Sequence, residues 1–193
     1  MTRRRALLTT AIAALIGVAA LVWRQIVAFP SDTTPKGAYF RIAAAVGRGE
    51  PRECFAYLED PAQHAAYSIK EYRAKASEQI AAHYPEPERS RLLEAYRVHA
   101  TARDGADVWV DLAIQRGWVT RLRRDLSGIA NVEIAGERAT IETVRGTRHA
   151  FRRRDNGMWG LTMFTAELTA EAERAARDWD VVQQAARDYE RAH

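Results

Sequence analysis

The sequence predicts an α+β fold: an N-terminal transmembrane helix, then several helices packed on a four-stranded antiparallel meander, closed by a long C-terminal helix. Three observations carry this. The segment Ala6 to Trp23 holds no charge. After Ser127-Gly128 the hydrophobic period switches from about 3.6 to 2. From Leu168 to Tyr189, apolar residues recur at alternating spacings of four and three.

Arg3, Arg4 and Arg5 precede the uncharged run, and Arg24 closes it. At about 1.5 Å rise per residue, a helix over that run reaches roughly 27 Å, close to the hydrocarbon thickness of a bilayer. Arginines on the N-terminal side stay in the cytoplasm, which sends everything after Arg24 across the membrane. The expected location is the cytoplasmic membrane, single pass, with the C-terminal domain outside the cytoplasm, periplasmic in a Gram-negative cell. An uncleaved anchor is favoured because the run continues through Leu21, Val22 and Trp23, and Trp beside Arg suits an interface. Cleavage after Val18-Ala19-Ala20 is the alternative. Thr2-Arg3-Arg4-Arg5-Ala6-Leu7 partly resembles a twin-arginine signal, although Ala6 stands where that signal usually has Phe. No cysteine follows the run closely enough for a lipoprotein. The organisation is therefore 1–24 anchor or signal peptide, 25–35 linker, and 36–193 a single exported domain.

Ile26 to Lys36 reads as linker, since Pro30, Ser31, Asp32, Thr33, Thr34 and Pro35 favour no regular element. Gly37 to Val46 follows as a helix with Tyr39, Ile42, Ala43 and Val46 on one stripe, stopped by Gly47 and Gly49. Pro51 reopens a short helix through Phe55 and Leu58, which ends before Pro61. Tyr67 to His83 is helical and is broken by Pro85 and Pro87. Glu88 to Ala102 carries Leu92, Leu93, Tyr96 and His99 on its stripe. Asp104 is a candidate N-cap for Val108 to Leu126, with Trp109, Leu112, Ala113, Trp118, Leu122 and Leu126 inward and Gly117 as a point of division.

The strands follow by alternation. Val132 and Ile134 face inward, then Ala139, Ile141 and Thr143 after the Gly136-Glu137 turn. Arg145-Gly146 turns the chain into His149 and Phe151, and Asp155-Asn156-Gly157 turns it into Trp159, Leu161 and Met163. A bare meander buries too little, so helices must cover one face. Thr165 to Ala192 is one helix whose seam is Leu168, Ala172, Ala175, Trp179, Val182, Ala186 and Tyr189. That stripe packs on its own domain or on another chain; the alanines weaken a coiled coil and favour the first, so a monomer is expected.

Composition excludes several classes. The chain is formally +4, but residues 1–24 hold four arginines and no acid, leaving 25 basic and 25 acidic residues beyond. Bulk charge thus gives no support to nucleic-acid binding. Cys54 is the only cysteine, which rules out an internal disulfide, and its apolar neighbours indicate a buried thiol. His64, His83 and His99 fall on proline-separated elements with no metal-ligand spacing, so no metal is expected, and no motif asks for a cofactor. Arg148, Arg152, Arg153 and Arg154 form a local cluster. Lipid phosphates or a polyanion could use it, and pairing with Glu133 and Glu142 across the strands explains it more simply.

Tyr39-Phe40 through Ala45-Val46, then Gly49-Glu50, then Cys54-Phe55-Ala56-Tyr57-Leu58, resemble the start of small exported domains of the nuclear transport factor 2-like (cone-shaped α+β) superfamily. The strand turn Ala135-Gly136-Glu137-Arg138-Ala139-Thr140-Ile141 and the strand Gly157-Met158-Trp159-Gly160-Leu161 resemble it too. The resemblance implies a curved sheet wrapped by helices around a pocket, in a family of isomerases, dehydratases, toxin-immunity proteins and domains that only bind. In such a pocket the candidate binding residues are His149, Phe151 and Trp159. Two functions follow. The first is a non-enzymatic, membrane-tethered domain that binds a partner protein, an envelope component or a small hydrophobic ligand. The second is a small lyase or isomerase with His149 as general base. The first is preferred because no acid–base pair is placed by strand spacing, so no catalytic residue is assigned.

Overall fold

The computed structural model describes residues 30–192. The span Ala6 to Trp23 lies outside the described residues, among which no helix is long and apolar enough to cross a membrane. Helix α1 (Pro35–Arg48) is capped by Thr34, whose hydroxyl accepts the Gly37 N–H at 3.1 Å, and it ends on Gly49 in the left-handed region. Helix α2 (Pro51–Cys54) runs into a 3-10 turn (Phe55–Tyr57). Helix α3 spans Asp60–His83 and α4 Glu88–Ala100. Helix α5 (Gly105–Gln115) is capped by Asp104 and separated from α6 (Trp118–Asp125) by Gly117 at φ 68°. Strands β1 (Ile129–Ala135), β2 (Arg138–Thr143), β3 (Arg148–Arg153) and β4 (Trp159–Leu161) form an antiparallel sheet in that order, and α7 (Thr165–Ala192) closes the chain. The α+β class, the four-stranded meander and the long C-terminal helix are as the sequence predicts.

Four boundaries differ, each for a local reason. Helix α3 begins at Asp60 rather than Tyr67 because Pro61 sits in its first turn, where an N–H has no intrahelical partner to lose. Helix α5 begins directly after its Asp104 cap instead of at Val108. Helix α1 begins at Pro35 for the reason α3 begins at Asp60. The stretch before it is also docked rather than free. The Trp159 indole N–H donates to the Thr33 carbonyl at 3.1 Å, and Ser31 O lies where a Gly37 Cβ would stand, at 1.9 Å. The folded unit therefore includes Pro30–Thr34 and does not start at Lys36.

The inner face of the sheet carries Ala139, Ile141, Phe151, Trp159 and Leu161, all buried. Val132 pairs with Ile141 and Ile134 with Ala139, so the expected parity holds. Ile134 is nonetheless 59% exposed, since β1 is an edge strand and Ile134 stands near its end. Met163 lies beyond β4, in the turn to α7. Above the sheet, Trp109, Trp118 and Phe164 stack with centroids 5.0–5.6 Å apart and fill the main core with Tyr39, Ile42 and Ile69.

Helices α3, α4 and α7 build a second cluster from Ala76, Ile80, Tyr84, Val182 and Ala186, with Leu92 and Leu93 of α4 against it. The seam of α7 thus packs on its own chain. Arg73 secures it, pairing with Asp178 at 2.7 Å while lying over the Tyr96 ring at 4.2 Å.

At β4, Leu58 forms a parallel bridge with Leu161, and the Glu59 N–H donates to the Leu161 carbonyl at 3.2 Å. A Cβ at Gly160 would stand 2.5 Å from Glu59 Cα and 2.6 Å from its nitrogen, so only glycine permits this approach.

Three variants at two positions probe these packings. Val182→Asp should lower the stability of the folded chain by more than about 3 kcal/mol, because an unpaired carboxylate would enter the second cluster. An unchanged melting temperature would mean that α7 leaves α3 in solution. Trp159→Ala should remove about 3–5 kcal/mol, and Trp159→Phe, which keeps an aromatic ring but drops the bond to Thr33, only about 1–2 kcal/mol. Equal losses in denaturant melts would show that the Thr33 contact, not packing, dominates.

Candidate functional site

His149 lies in the middle of the sheet, on the inner face of β3 opposite Ile141, and is 2% exposed. Its ring sits 5.8 Å from that of Tyr39. The imidazole hydrogen-bonds the main chain of Asp125, whose carboxylate accepts from Arg124 Nε at 2.8 Å. Among the described residues Nε2 has no hydrogen-bond partner. Burial pushes the His149 pKa below its ordinary value, and the Asp125 main chain and charge oppose that only in part. Burial thus favours the neutral ring.

Tyr39 ties α1 to the segment between α6 and β1. Its hydroxyl donates to the Ser127 carbonyl at 2.6 Å and accepts the Ser127 N–H at 2.9 Å. Among the described residues Ser127 Oγ, like His149 Nε2, is buried without a hydrogen-bond partner. A surface groove of about 350 Å³ runs alongside, lined by Tyr39, Phe40, Ala43, Val46, Leu126 and Ser127 among others. His149 does not line it. A neutral imidazole with a free nitrogen has the electronic state of a general base, but proton transfer needs the substrate within hydrogen-bond reach.

Phe151 and Trp159 share the inner face with His149. Phe151 is 1% exposed between Ala139 and Leu161, and Trp159 is 4% exposed with its N–H committed to Thr33. The three candidates thus stand together on one face, packed as core. Tyr39 and Asp125 adjoin His149, with Ser127 bonded to Tyr39 behind it, and no sequence signal indicated these contacts. The Tyr39–Ser127 bonds join residues 88 positions apart, a separation that periodicity cannot bridge.

The arginine cluster divides. Arg148 meets Glu133 at 3.3 Å. Arg154 is largely buried, donating to Asp60 at 2.6 Å, to the Ala56 carbonyl at 2.7 Å and to Gln63 at 3.3 Å. Arg152 reaches only to 3.9 Å from Glu59. Burial pushes the Cys54 thiol up to about 12, so it stays protonated and is a poor nucleophile. His99 pairs with Asp111 at 2.7 Å and His83 with Glu190 at 3.1 Å. Among the described residues no group of three or more His, Cys, Asp or Glu side chains is placed to hold a metal.

Compared with protein-family models, curated proteins and solved structures, the chain matches none.

The buried imidazole makes stability depend on pH. Its folded pKa is depressed below the ordinary 6.5, so the unfolded chain binds more protons as pH falls through that value. This contribution is complete above pH 6.5 and declines below it, until the folded ring also protonates. Denaturant melts from pH 8 to 5 should show falling stability, and His149→Phe should flatten part of the slope. An identical slope in that variant would assign the acid sensitivity to other groups.

Proposed function

We propose that the chain is a non-enzymatic domain tethered in the cytoplasmic membrane through Ala6 to Trp23 and held outside the cytoplasm. There it binds a partner protein, an envelope component or a small hydrophobic ligand. The observation that carries this reading is the filled space against the inner face of the sheet. Trp109, Trp118 and Phe164 pack on one another in the main core, and His149, Phe151 and Trp159 are buried on the inner face of the sheet. Catalysis by His149 would need a substrate at Nε2 and an acid partner, whereas the Asp125 carboxylate is turned to Arg124. Binding needs only a surface. A distant kinship with the cone-shaped α+β superfamily is part of the same proposal. It is supported by α1 and the 3-10 turn preceding the meander and packing on it through β2 and β4.

Three measurements test the reading. A C-terminal reporter active only outside the cytoplasm should be active, and the full-length chain should resist carbonate extraction from membranes. A reporter silent outside would end the topology. Diethyl pyrocarbonate should modify the exposed His64 rapidly in the native protein and spare His149. Modification of His149 as fast as His64 would show that small reagents reach the ring, and would put the lyase or isomerase reading first.

A further inference from the structure

The solvent face of the sheet carries a second groove, of about 290 Å³, lined by Glu59, Arg138, Thr140, Ala150, Arg152 and Thr162 among others. Arg138 and Arg152 are direct cross-strand partners in the β2–β3 register. Like charges placed opposite one another are unfavourable without a counter-charge. Among the described residues Arg138 has no ion-pair or hydrogen-bond partner. Arg152 has only the 3.9 Å contact with Glu59 Oε2, too long for a hydrogen bond. On the same face the next pair along the strands is Thr140 with the small Ala150, which adds little bulk beside the two arginines.

Glu59 is the other unusual group. It is 6% exposed, which is rare for a carboxylate without a close cation. Oε1 accepts from the Thr165 hydroxyl, leaving Oε2 beside Arg152 at the groove. Glu59 stands at the N-terminus of α3 and Thr165 at that of α7, where two helix dipoles favour the negative charge. A groove wall thus offers two guanidinium groups seeking an oxyanion and one carboxylate oxygen able to accept from a cationic donor.

We infer that this groove binds a small acidic α-amino acid. One carboxylate lies on Arg138 and the other on Arg152, and the ammonium meets Glu59. The charges then alternate, and the site's net charge of +1 matches a ligand of net charge −1. The volume lies at the small end of ligand sites, which suits a single amino acid rather than a larger molecule. The inference rests on the binding-domain reading and gives that domain a ligand class.

The test titrates the full-length chain in detergent micelles with L-glutamate, following amide resonances by NMR. Saturable shifts at Thr140, Ala150, Arg152 and Thr162 are expected. Glutarate, which lacks the ammonium, and glutamine, which lacks the second carboxylate, should each bind about tenfold more weakly. Arg138→Ala, a change on an exposed side chain, should weaken glutamate by about tenfold or more and leave the melting temperature unchanged. Glu59→Gln should abolish the preference for glutamate over glutarate. Shifts that follow sodium chloride equally, or that survive Arg138→Ala, overturn the site. Equal binding of glutarate and glutamate in the native chain overturns the role of Glu59 without any variant. The glutamate resonances themselves should persist during incubation. Their loss would overturn the non-enzymatic reading while leaving the site in place.

Discussion

The constraint that joins sheet to helices is the approach of β4 to the chain at Leu58 and Glu59. Gly160 stands so near the Glu59 main chain that no side chain fits. The Glu59 N–H and the Leu58–Leu161 bridge hold the two strands of backbone together. This contact covers the β4 edge, which would otherwise present unpaired main-chain groups. It also fixes where α3 starts, because Asp60 and Pro61 follow directly. From that point α3 runs past the main core to meet α4 and α7, and the second cluster exists because it overshoots. The two cores are thus set by one junction.

Gly117 has a comparable effect on the helical layer. Its left-handed conformation ends α5 and redirects the chain into α6, so Trp109 and Trp118 come from different helices yet stack at 5.6 Å. On one continuous helix, side chains nine positions apart point some 180° away from each other. The break turns both indoles onto Phe164 and fills the volume above the sheet. This packing decides between pocket and core, and it depends on a single glycine. The polar groups enclosed with it, Ser127 Oγ and His149 Nε2, are left unpartnered at the edge of that packing, next to the Tyr39 ring.

Much of this architecture was legible in the sequence wherever the physics is local. The change of period at Ser127-Gly128 marks the start of the sheet. Strand parity alone put His149, Phe151 and Trp159 on the inner face, and the seam from Leu168 to Tyr189 foretold the face of α7 that meets α3. Pro61 misled because proline stops a helix from within but opens one in its first turn. Pro30–Thr34 read as linker because turn residues look alike whether solvated or docked, and only Trp159 distinguishes them. The partners of His149 and the enclosure of Glu59 were illegible for a deeper reason. Each joins residues far apart in the chain, and no spacing rule relates Tyr39 to Ser127 or Glu59 to Thr165.

The domain's formal neutrality beyond Arg24 conceals a local imbalance, and the imbalance follows from which acids are already committed. Glu133 is drawn to Arg148, Asp60 to Arg154, and Asp104 and Asp107 to Arg52. Arg103 also bonds Asp107 and, foremost, holds its carboxyl down to about 2. These pairs are partly exposed and individually weak in stability. Their consequence is positional: each consumes a carboxylate that could otherwise neutralise a neighbour. Arg138 and Arg152 are set side by side by the β2–β3 register, and among the described residues the recessed Glu59, 3.9 Å from Arg152, is the acid that approaches them. Bulk charge therefore argues against a polyanion as partner, while the register of two strands concentrates positive charge at one small groove. That contrast favours a compact charged ligand over an extended one, because the field of two arginines is screened within about 10 Å and only a molecule seated between them meets it in full.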